Sequence, residues 1–170
     1  ADQQVTITVN NLDELAPAIT PGDSVSVDEN SGAGQVIYTA TADDSADIST
    51  GITFSLAGGS DAALSIDSVT GEVTLATDPD FEAQSEYNFT VVATDGANNS
   101  ADQQVTITVN NLDEVAPTIT SADTADAIDE NSGAGRVVYT AVADDSSDVS
   151  NGVTFSLLAD SDSALSIDAS

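Results

Sequence analysis

"VTITVNNLDEVAPTIT" occupies residues 105–120. Val105, Ile107 and Val109 alternate with threonines, the pattern of a strand with one buried face. The alternation then stops at N-L-D-E, crosses Ala116-Pro117 and resumes as a new strand. An amide and two acids are thus confined between two strands. The longer stretch "ADQQVTITVNNLDE" stands letter for letter at 1–14 and again at 101–114, a step of 100 residues. The chain therefore repeats a unit that ends in an acidic connector.

The rest of the sequence keeps the same period. "VDENSGAGQVIYTATADDSADISTGITFSL" at 27–56 matches "IDENSGAGRVVYTAVADDSSDVSNGVTFSL" at 128–157, and "ALSID" at 63–67 returns at 164–168. Residues 1–14 read as the last strand and connector of one repeat, 15–114 as a complete repeat and 115–170 as part of the next. The first residue falls inside a repeat, so the sequence reads as an excerpt of a longer chain.

Within 15–114 the period-two pattern predicts seven strands. They lie near 18–28, 36–41, 52–56, 64–66, 73–75, 87–93 and 105–109. In the second of these, Val36, Tyr38 and Ala40 share one face and Ile37, Thr39 and Thr41 the other. Tyr38, Phe54, Tyr87 and Phe89 are core candidates. Gly-rich and T-D-G turns separate the strands, and no stretch has helical amphipathicity. Seven short alternating strands in about 100 residues predict an all-β, immunoglobulin-like sandwich, with tandem copies joined end to end.

Composition narrows the chemistry. The chain of 170 residues carries a formal charge of −29, one basic residue (Arg136), no His and no Cys. Such charge repels nucleic acid and anionic membrane surfaces. No run approaches the roughly 18 apolar residues of a membrane span. Without His or Cys there is no Ser-His-Asp triad, no Cys-His pair and no zinc site built on nitrogen or sulfur. The expectation is that the protein is not an enzyme. Oxygen ligands remain, and they favour hard cations such as Ca2+.

The acids gather in loops and at strand ends: "VDEN", "TADDSAD", "DPDFEAQSEY", "ATDG" and "NNLDE". A sandwich collects its loops at two opposite ends. The acids of one repeat's far end therefore meet those of the next repeat's near end, and their mutual repulsion calls for a cation. The repeated N-L-D-E reads as a metal-binding linker. Two other readings of the acids exist. A salt-adapted surface would spread them over outward strand positions as well. A glycosidase pair at Asp80 and Glu82 would need a cleft.

With these motifs in order, the sequence resembles the cadherin-like repeats of giant secreted bacterial adhesins of the RTX type. The resemblance rests on Glu29, "PDFE" with Asp80 and Glu82, "SIDSVTGEV" at 65–73, "ATDG" with Asp95, and "NLDEVAP" at 111–117. It implies a Greek-key sandwich, bound Ca2+ and an extracellular or cell-surface location. The ligands it implies at one junction are Glu29, Asp80, Glu82, Asn111, Asp113 and Glu114, joined by Asp144 and Asp148 of the next repeat. Leu112 and Val115 would offer backbone carbonyls. At the other end Asn11, Asp13 and Glu14 would meet Asp44, Asp47 and Asp95. Asn111 stands where the family carries an acid. The partners implied are neighbouring repeats of the same chain. The role implied is a calcium-rigidified extender that holds adhesive domains away from the cell. The alternatives are a homophilic or carbohydrate-binding adhesion module, and a subunit of an extracellular fibre completed by identical chains.

Overall fold

The computed structural model describes residues 1–170 except 21, 23, 24, 49, 50 and 170. Two compact units divide the chain, Ala1–Asn111 and Leu112–Ser170. The repeat boundaries expected from the sequence, 1–14, 15–114 and 115–170, follow its period instead of this compactness. No helix occurs among the described residues.

Among the described residues the first unit holds nine strands: β1 Ala18–Thr20, β2 Val25–Asp28, β3 Gln35–Thr39, β4 Thr41–Asp43, β5 Ile52–Leu56, β6 Leu64–Ile66, β7 Glu72–Leu75, β8 Glu86–Asp95 and β9 Ser100–Asn110. One sheet has the order β2-β9-β8-β5. Its β2–β9 pair is parallel, while β9–β8 and β8–β5 are antiparallel. The facing sheet, β3-β7-β6, is antiparallel throughout. Past Ala40, β3 resumes as β4, which pairs antiparallel with β1. Counting β3–β4 as one interrupted strand and β1–β2 as one divided strand recovers the seven-strand sandwich.

Two sequence expectations change in detail. The opening strand over 18–28 is divided: β1 joins β4, β2 joins β9, and residues 21, 23 and 24 between them lie outside the described residues. In β3 the register shifts between Val36 and Tyr38. This bulge turns Ile37 and Tyr38 inward together and leaves Val36 half exposed, so Val36 and Tyr38 do not share a face. An extra residue in one strand resets the alternation beyond it.

The core lies between the sheets. Val27, Phe54, Tyr87, Phe89, Val91, Ala93, Ile107 and Val109 face Ile37, Tyr38, Leu64, Val73 and Leu75. Tyr38 meets Phe89 edge to face at 5.6 Å, the arrangement the ring quadrupoles favour. All four aromatic residues named from the sequence are buried.

In the second unit β10 (Thr118–Ile119) pairs antiparallel with β11 (Ala143–Asp144). This ladder is the counterpart of β1–β4: Thr118 pairs with Asp144 as Ala18 pairs with Asp43. Tyr139, counterpart of Tyr38, is 42% exposed against 5% for Tyr38. Tyr38 owes its burial to residues such as Phe89, from the second half of its own repeat.

Candidate metal centre

Among the described residues three charged side chains are buried: Glu29, Asp44 and Asp95. Each prolongs the inward phase of a strand by one step. Val25 and Val27 lead to Glu29, Ala40 and Ala42 to Asp44, and Tyr87, Phe89, Val91 and Ala93 to Asp95. Side chains two residues apart share a face, so the alternation that fills the core also turns these carboxylates inward. They fall at the two ends of the unit. Glu29 accepts the Phe81 N–H at 2.9 Å, just before β8 begins. Asp95 closes that ten-residue strand, about 30 Å from its start at ~3.3 Å per residue.

At the Asp95 end, carboxylate oxygens of Asp13, Asp44 and Asp95 lie within 4.8 Å of one another. Asp95 is well tied down. Its Oδ1 accepts the N–H groups of Ala97 and Asn99 at 2.8 Å, and its Oδ2 accepts Asn99 Nδ2 at 2.9 Å. Burial works to raise its pKa, but bonds from Asn99, Ala97 and Asn98 outweigh it and hold the carboxyl below its ordinary value. Asp13 is the opposite case. Neither of its oxygens has a hydrogen-bond partner of ordinary geometry, nor does Asp44 Oδ2. Burial first, then the charges of Asp95, Asp44 and Asp47, push the Asp13 carboxyl up, and the Leu15 N–H opposes this only in part.

Unpartnered, converging carboxylates are costly unless something positive joins them. Calcium fits. It binds oxygen at 2.3–2.6 Å, so two oxygens on one ion stand no more than about 5.2 Å apart. The donor set contains no nitrogen or sulfur ligand, as a hard cation prefers.

At the opposite end, oxygens of Glu29, Asp80 and Glu82 also lie within 4.8 Å of one another. The turn over 80–84 places them. Asp80 Oδ1 accepts the Ala83 N–H at 2.9 Å and its carbonyl accepts the Gln84 N–H at 2.8 Å. The side-chain oxygen of Asn111 is buried with no partner.

Asp47 is not part of the tight cluster. It binds the connector instead, accepting Asn11 Nδ2 at 2.7 Å and the Glu14 N–H at 3.5 Å. Glu14 itself is exposed. In the second unit Asp148 accepts the Glu114 N–H at 3.0 Å, the same contact one repeat later. Leu112, Asp113 and Val115 are exposed there and form no acid cluster among the described residues.

Asp144 is exposed in β11 and accepts the Ser146 N–H at 3.0 Å. Ser146, by its hydroxyl and then its N–H, lowers the Asp144 pKa. Asp43 accepts the Ser45 N–H at 2.9 Å, so Asp144 is the counterpart of Asp43. The counterpart of Asp44 is Asp145, which sequence reasoning missed. Asp145 is half-buried and continues the phase of Ala141 and Ala143. Counting by twos from those alanines finds it.

The sequence profile of the cadherin domain matches residues 23–110. The chain belongs to the cadherin family. Its relatives include the cadherin protocadherin gamma-A10 of Homo sapiens, 32% identical over 161 residues. That alignment covers 91% of this chain and 17% of the relative. Cadherin-8 of Homo sapiens is 33% identical over 155 residues, covering 89% of this chain and 19% of cadherin-8. This cadherin segment thus spans under a fifth of those relatives' length. Among solved cadherins, the protocadherin gamma-B4 extracellular domain superposes with a TM-score of 0.58 at 27% identity, covering 79% of this chain and 22% of that one. Human protocadherin-24 EC1-2 superposes at 0.54 with 22% identity, covering 76% and 59%, and supports the cadherin fold.

Proposed function

We infer that this cadherin segment is a calcium-rigidified extender of a long cell-surface or secreted adhesin of the bacterial RTX type. Its repeats hold adhesive domains away from the cell. The observation that carries this reading is the convergence of Asp13, from the connector, with Asp44 and Asp95 of the repeat that follows it. Neither Asp13 oxygen has a hydrogen-bond partner of ordinary geometry, and the Leu15 N–H offsets its charge only in part. A bound Ca2+ would be held by these three carboxylates, and a second by Glu29, Asp80 and Glu82. Asn111 is assigned to the second of these sites, and Asp113, Glu114 and Asp148, with backbone oxygens of Leu112 and Val115, to a site of the second unit. The near identity of successive units suits a spacer, because a spacer needs length and stiffness and nothing that varies. The chain has no Cys, so stiffness from disulfides is not an option. Partners are the neighbouring repeats of the same chain, outside the cell.

Calcium titration followed by calorimetry tests the reading. Extracellular modules of this kind bind at about 10⁻⁴–10⁻³ M. Heat of binding in that range, of which the part due to the Asp13, Asp44 and Asp95 site is lost in Asp44→Ala, is expected. Equal heats in parent and variant reject the site.

A further inference from the structure

We propose that Asn151–Gly152 in the second unit is a site of spontaneous deamidation, restrained by Ser150, at which an amide becomes aspartate or isoaspartate. The proposal goes beyond the calcium reading and does not rest on it. Asn151 is the one asparagine of the chain that glycine follows. A residue without Cβ leaves its backbone nitrogen open to approach and its dihedrals free. Asn151 and Gly152 are both exposed, and the Asn151 side chain makes no hydrogen bond to a described residue. A Cβ built on Gly152 would meet nothing within 4 Å, so the space around this peptide bond is open. Gly152 has φ of 97° and its counterpart Gly51 has φ of 99°, so the complete repeat keeps the same backbone at this turn. Asp95–Gly96 has the same small neighbour and can close the same ring, but its surroundings prevent it. Asp95 is buried, and its oxygens are occupied by Ala97 and Asn99.

In the reaction the Gly152 nitrogen gives its proton to hydroxide and attacks Asn151 Cγ. The Cγ–Nδ2 bond breaks, and the amide nitrogen takes a proton from water and leaves as ammonia. Water then opens the cyclic imide at either carbonyl, giving aspartate or isoaspartate. The sum is amide plus water to carboxylate plus ammonium. One bond opposes the first step. Ser150 Oγ accepts the Gly152 N–H at 3.2 Å, while its own hydrogen goes to Asp145. The nitrogen must leave this acceptor before it attacks. A long, exposed bond of this kind holds weakly because water competes for it, so Ser150 slows the reaction without stopping it. Thr50 stands at the corresponding place in the first repeat and has no amide to lose. Two nearly identical repeats therefore diverge with age. Aspartate at 151 adds negative charge to a loop that already carries Asp144, Asp145 and Asp148. Isoaspartate routes the main chain through the side-chain carbon and lengthens it just before residues 153–157, the counterpart of β5.

Timed incubation of the 170-residue chain at mildly alkaline pH in EGTA, followed by peptide mapping with isoaspartate detection, tests the proposal. Aspartate and isoaspartate at 151 accumulate several-fold faster than at any other asparagine, and faster still in Ser150→Ala. Asn151→Thr, which installs the residue of the first repeat, abolishes them. The folded parent converts more slowly than a free peptide of residues 145–156, which lacks the restraint. Conversion at Asn151 no faster than at the other asparagines overturns the site. A rate equal to that of the free peptide, or one that is unchanged or lowered in Ser150→Ala, overturns the restraint.

Discussion

Gly71 stands so close to Ala40 that a Cβ built on it would lie 2.4 Å from the Ala40 carbonyl oxygen. The two residues are bonded in the other direction as well, with the Ala40 N–H donating to the Gly71 carbonyl at 2.9 Å. Gly71 has φ of 73°, a left-handed conformation that strains other residues by roughly 1–2 kcal/mol. Ala40 is where β3 gives way to β4, so this contact keeps the sheet continuous across the interruption. Gly71→Ala is expected to destabilise the first unit by at least about 2 kcal/mol, strain and steric clash together. Urea denaturation measures it; a midpoint within error of the parent contradicts the assignment.

Removing the ring of Phe89 leaves a cavity against Tyr38, and both residues are buried. Phe89→Ala should cost about 3–5 kcal/mol, a large share of the stability of a small domain. Loss of near-ultraviolet dichroism from Tyr38 and Tyr87 at temperatures where the parent keeps it is the expected signature.

Asp13→Asn should act with opposite sign in the two calcium states. With chelator, the substitution removes a charge that burial, Asp95, Asp44 and Asp47 all disfavour, so the first unit melts higher than the parent. With calcium, a ligand charge is lost and the gain from binding shrinks. In the parent that gain is about 1.4 kcal/mol at tenfold excess over Kd, which is several degrees for a domain of this size. Thermal melts of both proteins in both buffers decide it. The same sign in both buffers removes Asp13 from the ligand set.

Asp67 supplies a pH dependence that calcium does not touch. Its carboxylate takes the Thr70 N–H at 2.9 Å and the Val69 N–H at 2.8 Å, and these bonds hold its pKa below the ordinary value. The folded chain therefore binds this proton less tightly than the unfolded chain. The resulting stability is present above the unfolded pKa near 3.9 and is lost as pH falls through the folded value. Asp67→Asn keeps the turn's acceptor and removes the charge. In EGTA the parent should exceed it by a constant margin above about pH 5, and the margin should close below about pH 4. A margin that widens toward acid pH contradicts the direction of the shift.

The strands were legible because Tyr87, Phe89, Val91 and Ala93 alternate without interruption, and no competing helical period exists. Tyr38 was placed correctly, but Val36 was put on its face, because a bulge leaves no mark in the letters around it. The parallel pairing of β2 with β9 was hidden as well: residues 25–28 and 107–110 are far apart in sequence, and only closure of the sandwich brings them together. At the candidate site, Glu29, Asp80, Glu82 and Asp95 were marked by motif. Between adjacent Asp144 and Asp145, motif alone does not choose. The phase of the strand does, since only the second follows Ala141 and Ala143.

Glu29, Asp44 and Asp95 share their strands' alternation with the core residues before them, and this couples two properties that proteins commonly keep apart. One residue inserted in β8 would turn Phe89 and Val91 outward along with Asp95, because a single-residue slip reverses every side chain beyond it. Hydrophobic packing and the inward carboxylates are set by one count. A lineage of such repeats can therefore exchange surface threonines for serines without limit, but it cannot drift in strand length without losing fold and acid cluster in the same step. That restriction accounts for the strand spacing kept from one unit to the next.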